Sequence, residues 1–285
     1  MNALLLSSII ALGAVGNVAQ KEYNKRAINT VFLYGCMCSL FAALFFTVSS
    51  LSGGLNFTIE FLPYSMIFGI SYLGANVFGF LSIKEGSLSL SALVISYSLI
   101  LPTLYGLIFL DEEISATMII ALVLLIVSLA FINLEKKGEK KKITLKWIIY
   151  VALAFVSNGA CSISQKVQQV NFNGAYKNEF MIVALVIVFV VLMTLSLVYE
   201  GKYLAHNMKN GILWFSFAGV SNGAMNLLVM VLSATMAASI MFPAISAGGI
   251  VVAFVISMLI YKEKYSILQY VGAGLGIAAV VLFNI

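Results

Sequence analysis

Long apolar runs alternate with short polar connections along the whole of this sequence. A helix needs about 20 mostly apolar residues to cross the hydrocarbon core of a bilayer, and ten runs have roughly that length. The predicted spans, numbered 1 to 10 in chain order, are residues 2–20, 31–51, 62–83, 87–110, 115–134, 147–167, 179–199, 211–232, 235–260 and 266–284. The pattern predicts an all-α membrane protein with ten transmembrane helices.

Composition also favours a bilayer over water as the main solvent. Hydrophobic residues make up 62% of the 285 residues and charged residues only 9%, whereas soluble domains carry roughly 25% charged residues. No basic residue precedes the first apolar run, and Lys21, Lys25 and Arg26 follow it. A signal peptide carries its basic residues in front of the apolar region, so we expect span 1 to be a retained helix.

The distribution of basic residues predicts the orientation. Lys and Arg are retained on the cytoplasmic side of membrane proteins. Fourteen of the 16 lie in the connections after spans 1, 3, 5, 7 and 9. Only Lys166 and Lys177 belong to an even-numbered connection, the one after span 6. The odd-numbered connections are therefore predicted in the cytoplasm and both termini outside. The Lys-rich segment 134–146 is expected to anchor this topology, with binding of anionic lipid headgroups as the alternative.

An internal repeat links the two halves of the chain. Residues 69–76 read GISYLGAN and residues 219–226 read GVSNGAMN, at an offset of 150. Gln20–Lys21 matches Gln165–Lys166 at an offset of 145. Further matches, at an offset of 151, are Glu112 and Ser115 with Glu263 and Ser266, and residues 132–134 with residues 283–285. Several matches in the same order indicate a duplication, although apolar helices also resemble one another by chance.

Five crossings per copy carry the chain to the opposite side, so the second copy must be inverted. The prediction is two inverted five-helix repeats, residues 1–134 and 147–285, joined by a basic cytoplasmic linker at residues 135–146. Inverted repeats are typical of secondary transporters, whose solute site lies near the bilayer midplane between the repeats.

The whole chain resembles the drug/metabolite transporter superfamily, in its EamA-like ten-span branch. The resemblance lies in the five-plus-five architecture, in Asn and Gln on spans 1 and 6, and in a Glu after spans 4 and 9, within LDEEIS at 110–115 and YKEKYS at 261–266. It implies a carrier of small organic metabolites, often an exporter, with a central cavity. Small multidrug pumps of the superfamily use a carboxylate in the first span, and span 1 has none. That difference argues against proton-coupled cation antiport by the same route.

Amide side chains form stripes on four spans, because positions i, i+3, i+4 and i+7 share one face of a helix. The predicted solute-binding residues are Asn17, Gln20, Tyr72, Asn76, Asn158, Gln165, Asn222 and Asn226. Amides donate and accept hydrogen bonds and so suit a neutral or zwitterionic solute. Tyr72 and Trp214 are candidates for stacking on an aromatic or cationic solute. The alternatives are that the amides join helices, that Gly on the same faces allows close packing, and that Trp214 is an interfacial anchor.

Pro102 in span 4 and Pro243 in span 9 are predicted to bend their helices and to act as gating joints, with ordinary packing kinks as the alternative. No ionisable residue lies in the middle of a predicted span. Lys21 and Lys166 end their spans and are expected to extend towards the interface, or else to meet an anionic group at the mouth of the cavity.

The predicted function is secondary transport of a small neutral, zwitterionic or aromatic metabolite, such as an amino acid, across the bacterial inner membrane. No cofactor, metal, nucleic-acid partner or enzymatic activity is predicted, because the spans lack the paired acids, metal ligands and phosphate loops that such chemistry needs. The alternatives are a lipid-handling flippase and a non-transporting membrane scaffold or sensor. The sequence leaves the substrate, the coupling ion and the choice between monomer and homodimer open.

Overall fold

The computed structural model describes residues 2–51, 53–86, 88–113, 115–133, 144–262 and 265–283. Within these ranges the regular secondary structure is helical and contains no strand. The α-helices are α1 (Asn2–Asn24), α2 (Phe32–Ser49), α3 (Leu62–Glu85), α4 (Leu88–Ser96), α5 (Ile100–Phe109), α6 (Ala116–Asn133), α7 (Leu145–Asn171), α8 (Lys177–Glu200), α9 (Leu204–Ser233), α10 (Ala238–Leu259) and α11 (Ile267–Leu282). Two single 3-10 turns, Tyr97–Leu99 and Gly201–Tyr203, join α4 to α5 and α8 to α9.

The all-α prediction is confirmed for the described residues, and seven helical stretches are long and apolar enough to cross a membrane. They are Asn2–Asn24, Phe32–Ser49, Leu62–Glu85, Leu90–Phe109, Leu145–Asn171, Lys177–Ser233 and Ala238–Leu259. Lys177–Ser233 includes both α8 and α9, and two shorter apolar helices, Ala116–Ile132 and Ile267–Leu282, add to the set. Most of the predicted linker (135–143), Glu263 and residues 284–285 lie outside the described residues.

Helix α6 shows why lipid is the expected surroundings of these helices. Its inward face buries Ala121 and Leu125, while Ile119, Val123 and Ile126 on the opposite face are exposed. A helix that packs in water carries polar residues on its outer face, and α6 has apolar residues on both faces. Exposed apolar surface of this kind is typical of membrane proteins.

The described helices group into two compact units. Unit 1 comprises Met1–Ile10, Gly74–Ile163 and Thr235–Ile285, and unit 2 comprises Ala11–Leu73 and Ser164–Ala234. Each unit therefore takes helices from both halves of the sequence. The predicted repeats at 1–134 and 147–285 concern a symmetry between the two halves of the sequence. The division into units does not test that symmetry, so the repeats stay a prediction.

In unit 2, α2 packs antiparallel to α8. The carboxylate of Glu200, at the end of α8, accepts hydrogen bonds from the backbone at the start of α2, including Phe32 N at 2.7 Å. At the other end of α2, the Ser49 hydroxyl donates to Asn178 Oδ1 at the start of α8, at 3.3 Å. The two contacts lie at opposite ends of both helices, which establishes their relative direction.

In unit 1, α6 packs antiparallel to α11. The Ser128 hydroxyl donates to the carbonyl oxygen of Gly272 at 2.6 Å, and the Gln269 side chain donates to the carbonyl oxygen of Ile132 at 3.0 Å. Residue numbers thus rise along α6 as they fall along α11. A capping box between Ser266 and Gln269 begins α11 and pairs the backbone N–H groups of these two residues.

Candidate functional site

The predicted solute-binding residues divide between the two units. Asn17, Gln20, Tyr72, Gln165, Asn222 and Asn226 lie in unit 2. Asn76 and Asn158 lie in unit 1, together with the two predicted gating prolines, Pro102 and Pro243.

Three of the amides in unit 2 form one hydrogen-bonded chain between α7 and α9. Gln165 Nε2 donates to Asn226 Oδ1 at 2.7 Å. Asn226 Nδ2 donates in turn to Asn222 Oδ1 at 3.0 Å and to the Asn222 carbonyl oxygen at 2.9 Å. Gln165 and Asn226 are 5% and 7% exposed, whereas Asn222 is half-buried. Asn222 is therefore the accessible end of the chain, and the two buried members hold it in place.

Helix α1 places Asn17 close to the level of Asn222. Helices α1 and α9 run antiparallel, because a Cβ added at Gly13 would lie 3.4 Å from the sulfur of Met225, while Ala19, further along α1, belongs to the same buried cluster as Ala218 and the Tyr23 ring packs against Phe215 at 4.8 Å between centroids. Asn17 lies between Gly13 and Ala19, and Asn222 lies between Met225 and Ala218. The side chains of Asn17 and Gln20 are exposed, so this part of α1 presents polar groups instead of burying them.

Helix α3 contributes an aromatic residue to unit 2. Tyr72 is half-buried and stacks on Phe68, with 5.8 Å between ring centroids. Phe68 packs edge-on against Phe180 of α8, with 5.5 Å between centroids. Asn76, one turn after Tyr72, has an exposed side chain in unit 1. Tyr72 thus has one ring face against a buried aromatic residue that orients it.

The glycines on the predicted stripes serve close helix packing. A Cβ at Gly219 would overlap the Cβ of Phe41 and would lie 2.8 Å from the carbonyl oxygen of Cys38. Gly69, its predicted repeat mate, faces α8 less tightly, since an added Cβ would lie 3.3 Å from the carbonyl oxygen of Ala184. At Gly219 and Gly69 the structure therefore supports the alternative that glycine allows two helices to pack closely.

Span 4 is interrupted beside Pro102. The 3-10 turn Tyr97–Leu99 separates α4 from α5. Proline cannot donate a hydrogen bond to the carbonyl four residues earlier, and its ring clashes with it; for Pro102 that carbonyl belongs to Ser98. Asn158 Nδ2 of α7 donates to the Ser98 hydroxyl at 2.6 Å. Asn158 therefore contacts the interruption itself.

Pro243 lies inside α10, which continues through it. The carboxylate of Glu112 accepts hydrogen bonds from Ala238 N at 2.7 Å and Ser239 N at 2.8 Å, and so caps the first turn of α10. The hydroxyl of Ser239, four residues before Pro243, is buried and has no hydrogen-bond partner in the part of the chain that the structure describes. Pro243 also has no N–H to pair with the carbonyl of Ser239, four residues earlier.

Two buried charged residues stabilise helix ends, a role that the sequence did not predict for either of them. Glu200 is 3% exposed and caps α2 from the end of α8. Lys166 is 6% exposed, and its ammonium donates to the carbonyl oxygen of Ser233 at the end of α9, at 3.0 Å. A cation at a helix C-terminus is favourable because the last carbonyls there are unpaired. Lys166 is thus buried against the end of α9. For both residues, the only signal in the sequence was a charge at the end of a predicted span.

Trp214 has a partner at the surface. The guanidinium of Arg26, which is exposed, lies 4.9 Å from the centroid of the Trp214 ring. Arg26 belongs to the connection predicted to be cytoplasmic. This cation–π contact supports the anchor alternative over stacking on a solute.

Comparisons with known proteins show the fold and no function. No protein-family model and no curated protein matches the sequence. A solved structure described only as "Crystal structure of protein" superposes with a TM-score of 0.79, covering 99% of this chain and 97% of the other, at 11% sequence identity. The two chains therefore share a fold, and at this identity the likeness carries nothing about activity.

Proposed function

We propose that the protein is a multi-pass secondary carrier of the bacterial cytoplasmic membrane. It moves a small neutral, zwitterionic or aromatic metabolite, such as an amino acid, by alternating access, as the resemblance to EamA-like transporters implies. The observation that carries this proposal is the antiparallel packing of predicted repeat mates. Transporters built from inverted repeats place their solute site between the repeats.

Two pairs of mates pack in this way. Spans 2 and 7 correspond to α2 and α8, which are antiparallel in unit 2, and spans 5 and 10 correspond to α6 and α11, which are antiparallel in unit 1. A twofold axis in the membrane plane turns a helix into an antiparallel copy of itself. A helix beside that axis then packs against its own copy, so both contacts support two inverted five-helix repeats.

The proposed solute site lies in unit 2 and comprises Asn17, Gln20, Tyr72 and Asn222. Asn17, Gln20 and Asn222 supply amide donors and acceptors for a carboxylate and an ammonium group. Tyr72 supplies an aromatic surface for an apolar side chain. Gln165 and Asn226 position Asn222. Gln165 holds the Asn226 amide, and Asn226 donates to Asn222 and so restricts the orientation of its side chain.

One observation favours a second candidate, a non-transporting membrane scaffold. Gln165, Asn226 and Asn222 bond to one another, as amides that merely join helices do. The scaffold predicts that no solute is transported and that none raises the unfolding temperature. The carrier predicts both effects for the same solute.

We expect uptake into proteoliposomes for at least one solute in a panel of amino acids and related metabolites. Asn222→Ala should then lower the initial uptake rate about three- to tenfold, because the loss of one hydrogen bond weakens solute binding by that order. Gln20→Ala should act similarly. The matched control is Asn171→Ala on α7, whose side chain bonds to Tyr64 Oη at 2.8 Å. Equal rates in all three variants and in the wild type would remove these residues from the path.

We expect the first connection to be cytoplasmic and the second to be external. Lys25 and Leu55 are both exposed and can be replaced singly by Cys, after the buried Cys36, Cys38 and Cys161 are replaced by Ala. In intact cells a membrane-impermeant maleimide should label Leu55→Cys at once and Lys25→Cys only after permeabilisation. The opposite labelling pattern contradicts the predicted orientation.

A further inference from the structure

The interruption in span 4 combines three features at one place in unit 1. The first is the backbone: Pro102 has no N–H to pair with the carbonyl of Ser98, four residues earlier, and the helix tightens there into the 3-10 turn Tyr97–Leu99. A 3-10 stretch within a longer helix often marks a hinge. The backbone alone thus identifies a place where α4 and α5 are able to change their mutual angle.

The second feature is a brace from α7. Asn158 Nδ2 donates to the hydroxyl of Ser98 at 2.6 Å, and Ser98 is 1% exposed. One residue further along α7, an added Cβ at Gly159 would lie 2.7 Å from the Cβ of Leu101. Only glycine allows α7 to approach so closely, and this approach brings the Asn158 amide to the turn. A buried hydroxyl that loses such a partner is costly to leave unpaired.

The third feature is free space on another side of the turn. A cleft with a volume of about 10 Å³ lies against it, between Tyr97 and Ile100 on one side and Leu122, Ile126 and Leu129 of α6 on the other. This volume is close to what one water molecule requires. The ring of Tyr97 reaches across to α6, where its hydroxyl donates to the carbonyl oxygen of Ile126 at 3.0 Å. Close-packed interiors resist displacement, and the turn is packed less tightly towards the cleft than towards α7, where Gly159 lies close to Leu101.

We propose that Asn158 is a positioning residue that latches the hinge of span 4 in the conformation described. When the bond to Ser98 breaks, α5 swings about the 3-10 turn relative to α11. In this assignment Asn158 acts on the hinge and does not contact the solute. That the swing opens and closes a transport path rests on the proposed function, whereas the latch and the hinge stand on the geometry of unit 1.

Distances between spin labels test the latch directly. Ile108 on α5 and Ile277 on α11 are exposed and lie in the same unit, so Ile108→Cys and Ile277→Cys in the cysteine-free background accept labels without disturbing packing. In lipid nanodiscs, Asn158→Ala and Ser98→Ala should each raise the population of a second distance about fivefold, the order expected for one hydrogen bond. Because both substitutions remove the same bond, the double variant should match the single ones.

Asn171→Ala is the matched control on α7, since its hydrogen bond lies in unit 2; it should leave the distances unchanged. Ser98→Ala removes the bond with a very small change in volume, so it remains informative if Asn158→Ala fails to fold. A distance distribution in Ser98→Ala identical to the wild type overturns the proposal, as does an additive effect in the double variant. The readout needs no substrate, so failure of the carrier proposal would leave this result interpretable.

Discussion

Glu200→Ala is expected to lower the free energy of unfolding by about 3 kcal/mol, since it leaves four buried or partly buried donors unpaired. The Glu200 carboxylate accepts hydrogen bonds from Val31 N, from Phe32 N at 2.7 Å, from Leu33 N at 3.0 Å and from the Ser196 hydroxyl at 2.8 Å. The three N–H groups begin α2, where no side chain of α2 itself caps the helix. The first N–H groups of a helix have no partner within the helix, so Glu200 is the cap of α2.

Thermal unfolding in detergent, followed by the loss of the monodisperse peak, measures this effect. Glu200→Gln keeps the shape and one acceptor oxygen, and we expect an intermediate loss because hydrogen bonds to a charged acceptor are stronger. Glu60→Ala is the control: Glu60 is exposed, and such substitutions usually change stability by less than about 0.5 kcal/mol. Equal melting of Glu200→Ala and Glu60→Ala would show that the cap contributes nothing.

Gly219→Ala is expected to destabilise the protein by about 1–3 kcal/mol, the usual cost of overpacking a core. The added methyl group would meet Phe41 and the backbone carbonyl of Cys38 on α2, and backbone cannot move aside as the end of a flexible side chain can. The sign of this change in stability is informative, because alanine is favoured over glycine in a helix by about 1 kcal/mol. Steric overlap must therefore outweigh a gain in helix propensity.

Two further glycines provide the comparison for Gly219. At Gly249 of α10 an added Cβ meets no atom of the described structure within 4 Å, so Gly249→Ala should be neutral or stabilising. Gly69→Ala should lie between the two, since its nearest neighbour would be 3.3 Å away. We expect the highest melting temperature for Gly249→Ala, an intermediate one for Gly69→Ala and the lowest for Gly219→Ala. A different order would contradict the packing of α9 on α2.

The helices themselves could be predicted from the sequence because their cause is local. A run of about 20 apolar residues forms a helix in lipid whatever its neighbours are, since every backbone group must be paired within the segment. Each predicted span coincides with one described helix, or with α4 and α5 in the case of span 4, and the ends differ by a few residues. The interruption at Tyr97–Leu99 also follows from a local cause, the ring of Pro102, although its position did not follow from the apolar pattern.

Which polar groups meet could not be predicted, because periodicity identifies the residues that share a helix face and not what lies opposite that face. Gln20 and Gln165 occupy matching positions in the sequence, yet Gln165 is buried against Asn226 while Gln20 is exposed. Glu200 caps residues 31–33, nearly 170 positions earlier along the chain. The length of the apolar runs and the residue types thus determine the helices and which polar groups are present. Burial, capping and hydrogen bonding depend instead on how helices distant in sequence pack. The reason is that these contacts form only between segments that local sequence does not bring together.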